Sequence, residues 1–127
     1  MMSVFTALLI ALALQACGGT PDSRTESGED AVFEEGIASY YHDSLHGNLT
    51  ASGAPYDRES LTAAHRSLPF GTRIRVTNLE NERSIILTVN DRGPFIDGRI
   101  VDLSRRAARH LGFIEAGIVP VTIAIVN

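Results

Sequence analysis

The densest cluster of residues able to do chemistry is Asn90-Asp91-Arg92-Gly93-Pro94-Phe95, directly after an apolar stretch that contains Ile85, Leu87 and Val89. A strand that runs into Asp followed by Gly-Pro must stop there, because proline brings no ladder N–H and glycine lets the chain turn. The carboxylate is then left at the rim of a sheet, where it can exchange a proton with a ligand. Asp91 is therefore the best candidate acid. The same residues also allow a structural role, in which Asp91 caps its own turn and pairs with Arg92 or Arg99. A second cluster, Leu61-Thr62-Ala63-Ala64-His65, delivers one imidazole at the end of a mostly apolar run. Such a histidine serves either a site or a backbone hydrogen bond.

Other chemistries find no support. His42 and His46 have helical ligand spacing, but they sit in a loop-like stretch with no cysteine partner, and Asp43 does not complete a site, so no metal is expected. There is no Gly-rich phosphate loop and no Gly-x-Ser-x-Gly elbow, which removes nucleotide and acyl-transfer chemistry and leaves no cofactor to expect. Asp102, two residues before a candidate helix cap, reads as a charge partner of that helix. Arg99 can hold a carboxylate of a ligand or of the protein. The formal net charge of −4 is concentrated in 18–35, where six acids face the single Arg24; 36–127 carries ten arginines and nine acids. No basic stripe exists to neutralise phosphates, so nucleic acid is excluded as a partner.

The elements that must position these groups can be read from periodicity. Gly36 to Tyr41 favours a strand, and His46 to Tyr56, broken by Gly47, Gly53 and Pro55, reads as loop with short strand pieces. Ile74 and Val76 alternate with Arg73, Arg75 and Thr77, and the alternation resumes at Ile85 after the turn Glu80-Asn81-Glu82, which predicts a hairpin with one buried face. Ser104 caps a short helix over 105–111 with Ala107, Ala108 and Leu111 on one side, and Gly112 ends it in the left-handed conformation. Val119, Val121, Ile123 and Ile125 form a last strand. Many short strands, one helix and many Gly and Pro turns predict a small closed β-barrel.

The first third of the chain is different. Residues 1–16 are apolar apart from Ser3, Thr6 and Gln15, and too few to span a bilayer core, so they read as a signal peptide. They end in Leu14-Gln15-Ala16-Cys17, which resembles a bacterial lipobox and makes Cys17 the expected lipid-attachment residue and first mature residue. No Lys or Arg precedes the apolar run and Gln15 stands where a small residue is usual, which keeps an ordinary cleaved signal as the alternative. Residues 17–35 are polar and acidic and read as a flexible tether. With the sole cysteine lipidated, the domain expected over 36–127 must stand on packing alone. Gly18 and Gly19 carry no Asp-type inner-membrane retention signal, which favours an outer membrane.

Taken together, Gly36-Ile-Ala-Ser-Tyr-Tyr41, Thr50-Ala-Ser-Gly53, Leu61-Thr-Ala-Ala-His65, Leu68-Pro-Phe-Gly71, Val76-Thr-Asn-Leu79, Asn90-Asp-Arg-Gly-Pro-Phe95, Gly98-Arg99 and Val101-Asp-Leu-Ser104 resemble the rare lipoprotein A family, in order, over essentially all of 36–127. The resemblance implies a six-stranded double-psi β-barrel with one short helix, related to the barrels of expansins and of some membrane-bound lytic transglycosylases. It also implies a reaction, endolytic cleavage of peptidoglycan glycan strands between N-acetylmuramic acid and N-acetylglucosamine, with the muramic C6 hydroxyl attacking its own anomeric carbon to leave a 1,6-anhydro end. Water is not the nucleophile, so one carboxyl that first gives and then takes a proton suffices. By resemblance Asp91 takes that role with His65 as its partner, and Asn90, Arg92, Thr50 and Tyr41 bind or orient the glycan. Ala54 stands where active relatives usually place a glutamate, which keeps a non-catalytic glycan-binding barrel, or a structural envelope lipoprotein, as alternatives.

Overall fold

The structure, a computed structural model, describes residues 31–126. Its elements are β1 (Val32–Tyr40), β2 (Thr62–His65), β3 (Arg73–Asn78), β4 (Ser84–Asp91), β5 (Arg99–Leu103), α1 (Arg105–Leu111) and β6 (Val119–Val126). Cys17, the leader 1–16 and the tether up to residue 30 lie outside the described residues. The strands close into a barrel in the order β1-β5-β2-β4-β3-β6, with β1/β5 and β2/β4 parallel and the other pairs antiparallel. This is the expected six-stranded double-psi β-barrel, and its closure leaves no unpaired sheet edge.

Alternation decides what goes inside. Ile74 and Val76 of β3, Leu87 and Val89 of β4, and Val121 and Ile123 of β6 are buried together in one core. The helix adds Ala107, Ala108 and Leu111 to it. Ser104 caps α1 by accepting the N–H of Ala107, and Gly112 ends it at φ +79, a conformation that glycine adopts without a Cβ penalty. Asn78, buried at the end of β3, donates its amide to the Leu111 carbonyl and so ties the hairpin to the helix terminus. Where β1 meets β5, a Cβ on Gly36 would lie 2.6 Å from Ile100 Cγ2 and 3.2 Å from the Gly98 carbonyl, so only glycine permits this approach.

Two features differ from the sequence reading. The first strand starts at Val32 rather than Gly36, because Val32, Glu34 and Glu35 pair with Ala124, Ile123 and Thr122 of β6. Backbone hydrogen bonding recruits residues whose polar side chains made them look like tether. Strands β2 and β5 carry no period of two, since each is short and pairs in parallel on one side within the barrel wall. Asp102 consequently belongs to β5, and its carboxyl lines a cleft beside Ser39.

Candidate functional site

Asp91 is the last residue of β4, and Gly93 at φ +120 swings the chain away immediately after it. Its half-buried carboxylate opens on a cleft of about 680 Å³. Ser39, Tyr41, Arg99 and Asp102 form the polar side of that cleft, while Leu45, Ile96 and Ile118 supply an apolar side.

Three donors hold the carboxylate. Oδ1 accepts the backbone N–H of Ala51 at 2.8 Å and of Arg92 at 2.9 Å, and Oδ2 accepts the Tyr41 hydroxyl. The turn-capping role is therefore real, yet it coexists with access to the cleft. The Arg92 guanidinium does not pair with the Asp91 carboxylate: Nη1 donates to the backbone carbonyls of Leu68 at 2.8 Å, His65 at 3.3 Å and Asp91 itself at 3.4 Å, and the group lies 4.1 Å above the Phe70 ring.

The Ala51 donor comes from a tightly closed loop. Gly47 N–H bonds the Tyr56 carbonyl, Tyr56 N–H bonds Asn48, and Thr50 N–H bonds Ala54, so Ala51 stands at the tip facing Asp91. The loop also supplies Tyr56, whose ring stacks on Tyr41 with centroids 4.2 Å apart and planes 14° from parallel. Burial pushes the Tyr41 phenol far above the ordinary tyrosine range, and the hydrogen bond to Asp91 and the Asp91 charge push the same way. Tyr41 is thus a donor at every working pH.

A second carboxyl shares the cleft. Asp102 of β5 lies opposite Ser39 of β1 in register, and the Ser39 hydroxyl donates to Asp102 Oδ1 while itself accepting from Arg99 Nη1 at 3.0 Å. Burial raises the Asp102 carboxyl above its usual range; the Ser39 hydrogen bond and the Arg99 charge oppose this, and the Asp91 charge adds to it. In sequence Asp102 reads as a charge partner of the helix terminus; in the structure its carboxyl bonds Ser39 in the cleft. The available signal was a lone carboxylate within the apolar run Ile100, Val101, Leu103, where an unpaired charge is rarely placed without purpose.

Of the six residues expected at the site, the fold brings Asp91, Tyr41 and Arg92 to the cleft wall and leaves His65, Asn90 and Thr50 outside its lining. His65 is 3% exposed; its Nδ1 accepts the N–H groups of Ser67 and Leu68, and its Nε2 meets Glu34 Oε1 at 2.8 Å. It fastens the end of β2 to β1 and, through its carbonyl, helps orient Arg92. The buried Thr50 hydroxyl donates to the Ala54 carbonyl at 2.7 Å, and the Asn90 carbonyl accepts the Ser52 N–H at 3.3 Å. Both hold the loop that presents Ala51. Ala54 contributes a methyl group and the carbonyl that receives Thr50.

A family model described as lytic transglycolase matches residues 33–123. The chain is 54% identical over 95 residues to a probable endolytic peptidoglycan transglycosylase RlpA of Nostoc sp., covering 73% of this chain and 26% of that protein. It is 46% identical over 106 residues to the endolytic peptidoglycan transglycosylase RlpA of Pasteurella multocida, covering 82% and 36%. The chain thus spans about a quarter to a third of the length of these curated relatives. Among solved structures, the apo expansin of Clavibacter michiganensis superposes with a TM-score of 0.58 at 28% identity, over 73% of this chain and 50% of that one. With its motifs, its barrel order and a family match over nearly all of the described residues, the chain belongs to the lytic transglycolase family and, within it, to the rare lipoprotein A-like barrels.

Proposed function

We propose that this barrel is an endolytic peptidoglycan lytic transglycosylase of the cell envelope, cleaving between N-acetylmuramic acid and N-acetylglucosamine to leave 1,6-anhydro ends. The observation that carries the reading is Asp91, fixed by three donors at a strand end and facing a cleft whose volume falls in the range of about 300–1,000 Å³ typical of ligand sites. Relatives named for this activity share about half of the aligned residues. In the reaction, Asp91 handles the proton of the muramic C6 hydroxyl as that oxygen attacks the anomeric carbon. Tyr41 and the Ala51 N–H orient the carboxylate, and Leu45, Ile96 and Ile118 offer an apolar wall to the faces and N-acetyl methyls of the sugars. Ala54, where active relatives usually carry glutamate, favours a second reading, a barrel that binds glycan without cleaving it.

The test is incubation of the purified protein with peptide-free glycan strands, followed by mass spectrometry. Anhydro-muramic ends support the enzyme; glycan that pulls down intact leaves only the binding barrel. Cys17 is proposed to anchor the protein by lipid to a periplasm-facing membrane, the outer one because Gly18 and Gly19 carry no inner-membrane retention signal. Cys17→Ser is expected to move the protein into the soluble periplasmic fraction, and continued sedimentation with membranes would count against the anchor.

A further inference from the structure

We propose that Asp102 is a second catalytic residue, the one that protonates the departing glycosidic oxygen, and that Asp91 performs only the base half of the cycle. This deepens the transglycosylase reading and rests on it. It departs from the single-carboxyl scheme that the family resemblance implies.

All three groups on Asp91 donate to it, and two are backbone N–H groups that cannot turn around. Hydrogen bonds of this kind favour the ionised carboxylate. Both Asp91 oxygens already accept a donor, so neither offers a free place for a proton to be handed to the leaving group. Asp102 has fewer donors. Like Asp91 it is half-buried, but among the described residues only the Ser39 hydroxyl donates to it, at Oδ1. Because Arg99 donates to Ser39 Oγ, the serine proton is directed at Asp102 Oδ1, which leaves Oδ2 without a protein partner among the described residues. Oδ2 is where a proton can sit and be handed on. The Asp91 charge makes ionising both groups together unfavourable. A carboxylate held by three donors beside a carboxyl that keeps one oxygen free is the arrangement that separates a base from an acid.

The step balances without any co-reactant. The proton on Asp102 Oδ2 passes to the glycosidic oxygen as the bond from C1 to that oxygen breaks. The muramic O6 bonds to C1, and its hydroxyl proton passes to Asp91. One proton has moved from Asp102 to Asp91, and exchange with water restores both groups. Ser39 and Arg99 are positioning residues in this scheme.

The experiment compares two substrates on the full chain: peptide-free glycan strands, and an N-acetylmuramic acid β-glycoside with a nitrophenolate leaving group that departs without protonation. Asp102→Asn is expected to cut turnover of glycan strands about a hundredfold while keeping near-normal turnover of the nitrophenyl glycoside, since only the first needs an acid. Asp91→Asn is expected to lose both. The alkaline limb of kcat/KM reports the free enzyme's acid. Ser39→Ala removes a donor that favours the Asp102 carboxylate, so that limb is expected to move to higher pH. Wild-type protein that releases anhydro product from neither substrate would sink the transglycosylase reading itself. Active wild type overturns the Asp102 assignment if Asp102→Asn retains full glycan turnover, or loses both substrates equally while folded. If Asp102→Asn fails to fold, the Ser39→Ala profile decides alone: a shifted limb supports the acid role and an unmoved one overturns it.

Discussion

Asp91→Asn is expected to abolish anhydro-product formation, lowering turnover by about a thousandfold within the 10²–10⁴ range typical of general acid–base groups, while the barrel stays folded. The amide is nearly the same shape as the carboxylate. Its oxygen can keep the N–H groups of Ala51 and Arg92, and its NH₂ can face the Tyr41 hydroxyl, which turns to accept instead of donating. Only the Tyr41 O–H loses its acceptor, and it can turn into the open cleft that Tyr41 lines, so the thermal midpoint should stay within a few degrees. What is lost is the ability to take a proton from the C6 hydroxyl. Mass spectrometry of glycan digests, read beside a melting curve, separates the outcomes: a folded variant with full turnover means that another group is the base, and a collapsed melting curve means that Asp91 is chiefly a structural cap. The variant also removes a negative charge that helps hold Asp102 above its usual range, so Asp102 should ionise at lower pH than in the wild type.

Part of this site is legible in the sequence, and the parts that are not have a common cause. Asp91 was legible because Gly93 and Pro94 end its strand on covalent grounds alone. Strands β3, β4 and β6 were legible because each has one core face, and the helix because Ser104 and Gly112 mark its ends. Strands β2 and β5 were not. Their burial comes from parallel partners far away in sequence, and no local pattern records that. Asp102 was misassigned for this reason: two residues from a helix cap in sequence, it belongs by strand register to Ser39, sixty-three residues earlier. Thr50 and His65 were legible as special but not as to their task, because only tertiary geometry shows that their polar atoms are already committed to the Ala54 carbonyl, the Ser67 and Leu68 N–H groups and Glu34.

The second large effect concerns the packing beneath the cleft. Phe113→Ala is expected to destabilise the barrel by about 3–5 kcal/mol, the usual result of deleting a buried aromatic ring and leaving a cavity. A small domain holds only about 5–15 kcal/mol in total, so the melting temperature should fall by roughly 15–25 °C. Phe113 follows the Gly112 cap, with its N–H on the Ala108 carbonyl, and is 2% exposed. Its ring meets Tyr40 edge-on at 5.7 Å and 77°, and the Tyr40 hydroxyl donates to the Ile114 carbonyl at 2.8 Å. Tyr40 therefore locks the end of β1 against the segment after α1, while its neighbour Tyr41, which lines the same cleft, donates to Asp91. Loosening Tyr40 loosens Tyr41, so below the melt kcat should fall further than the folded fraction alone accounts for. A variant that melts within a few degrees of wild type would show that the segment after α1 contributes little to the core. One that melts early yet keeps full turnover per folded molecule would show that Tyr41 is held by its stack on Tyr56 and needs no support from Tyr40.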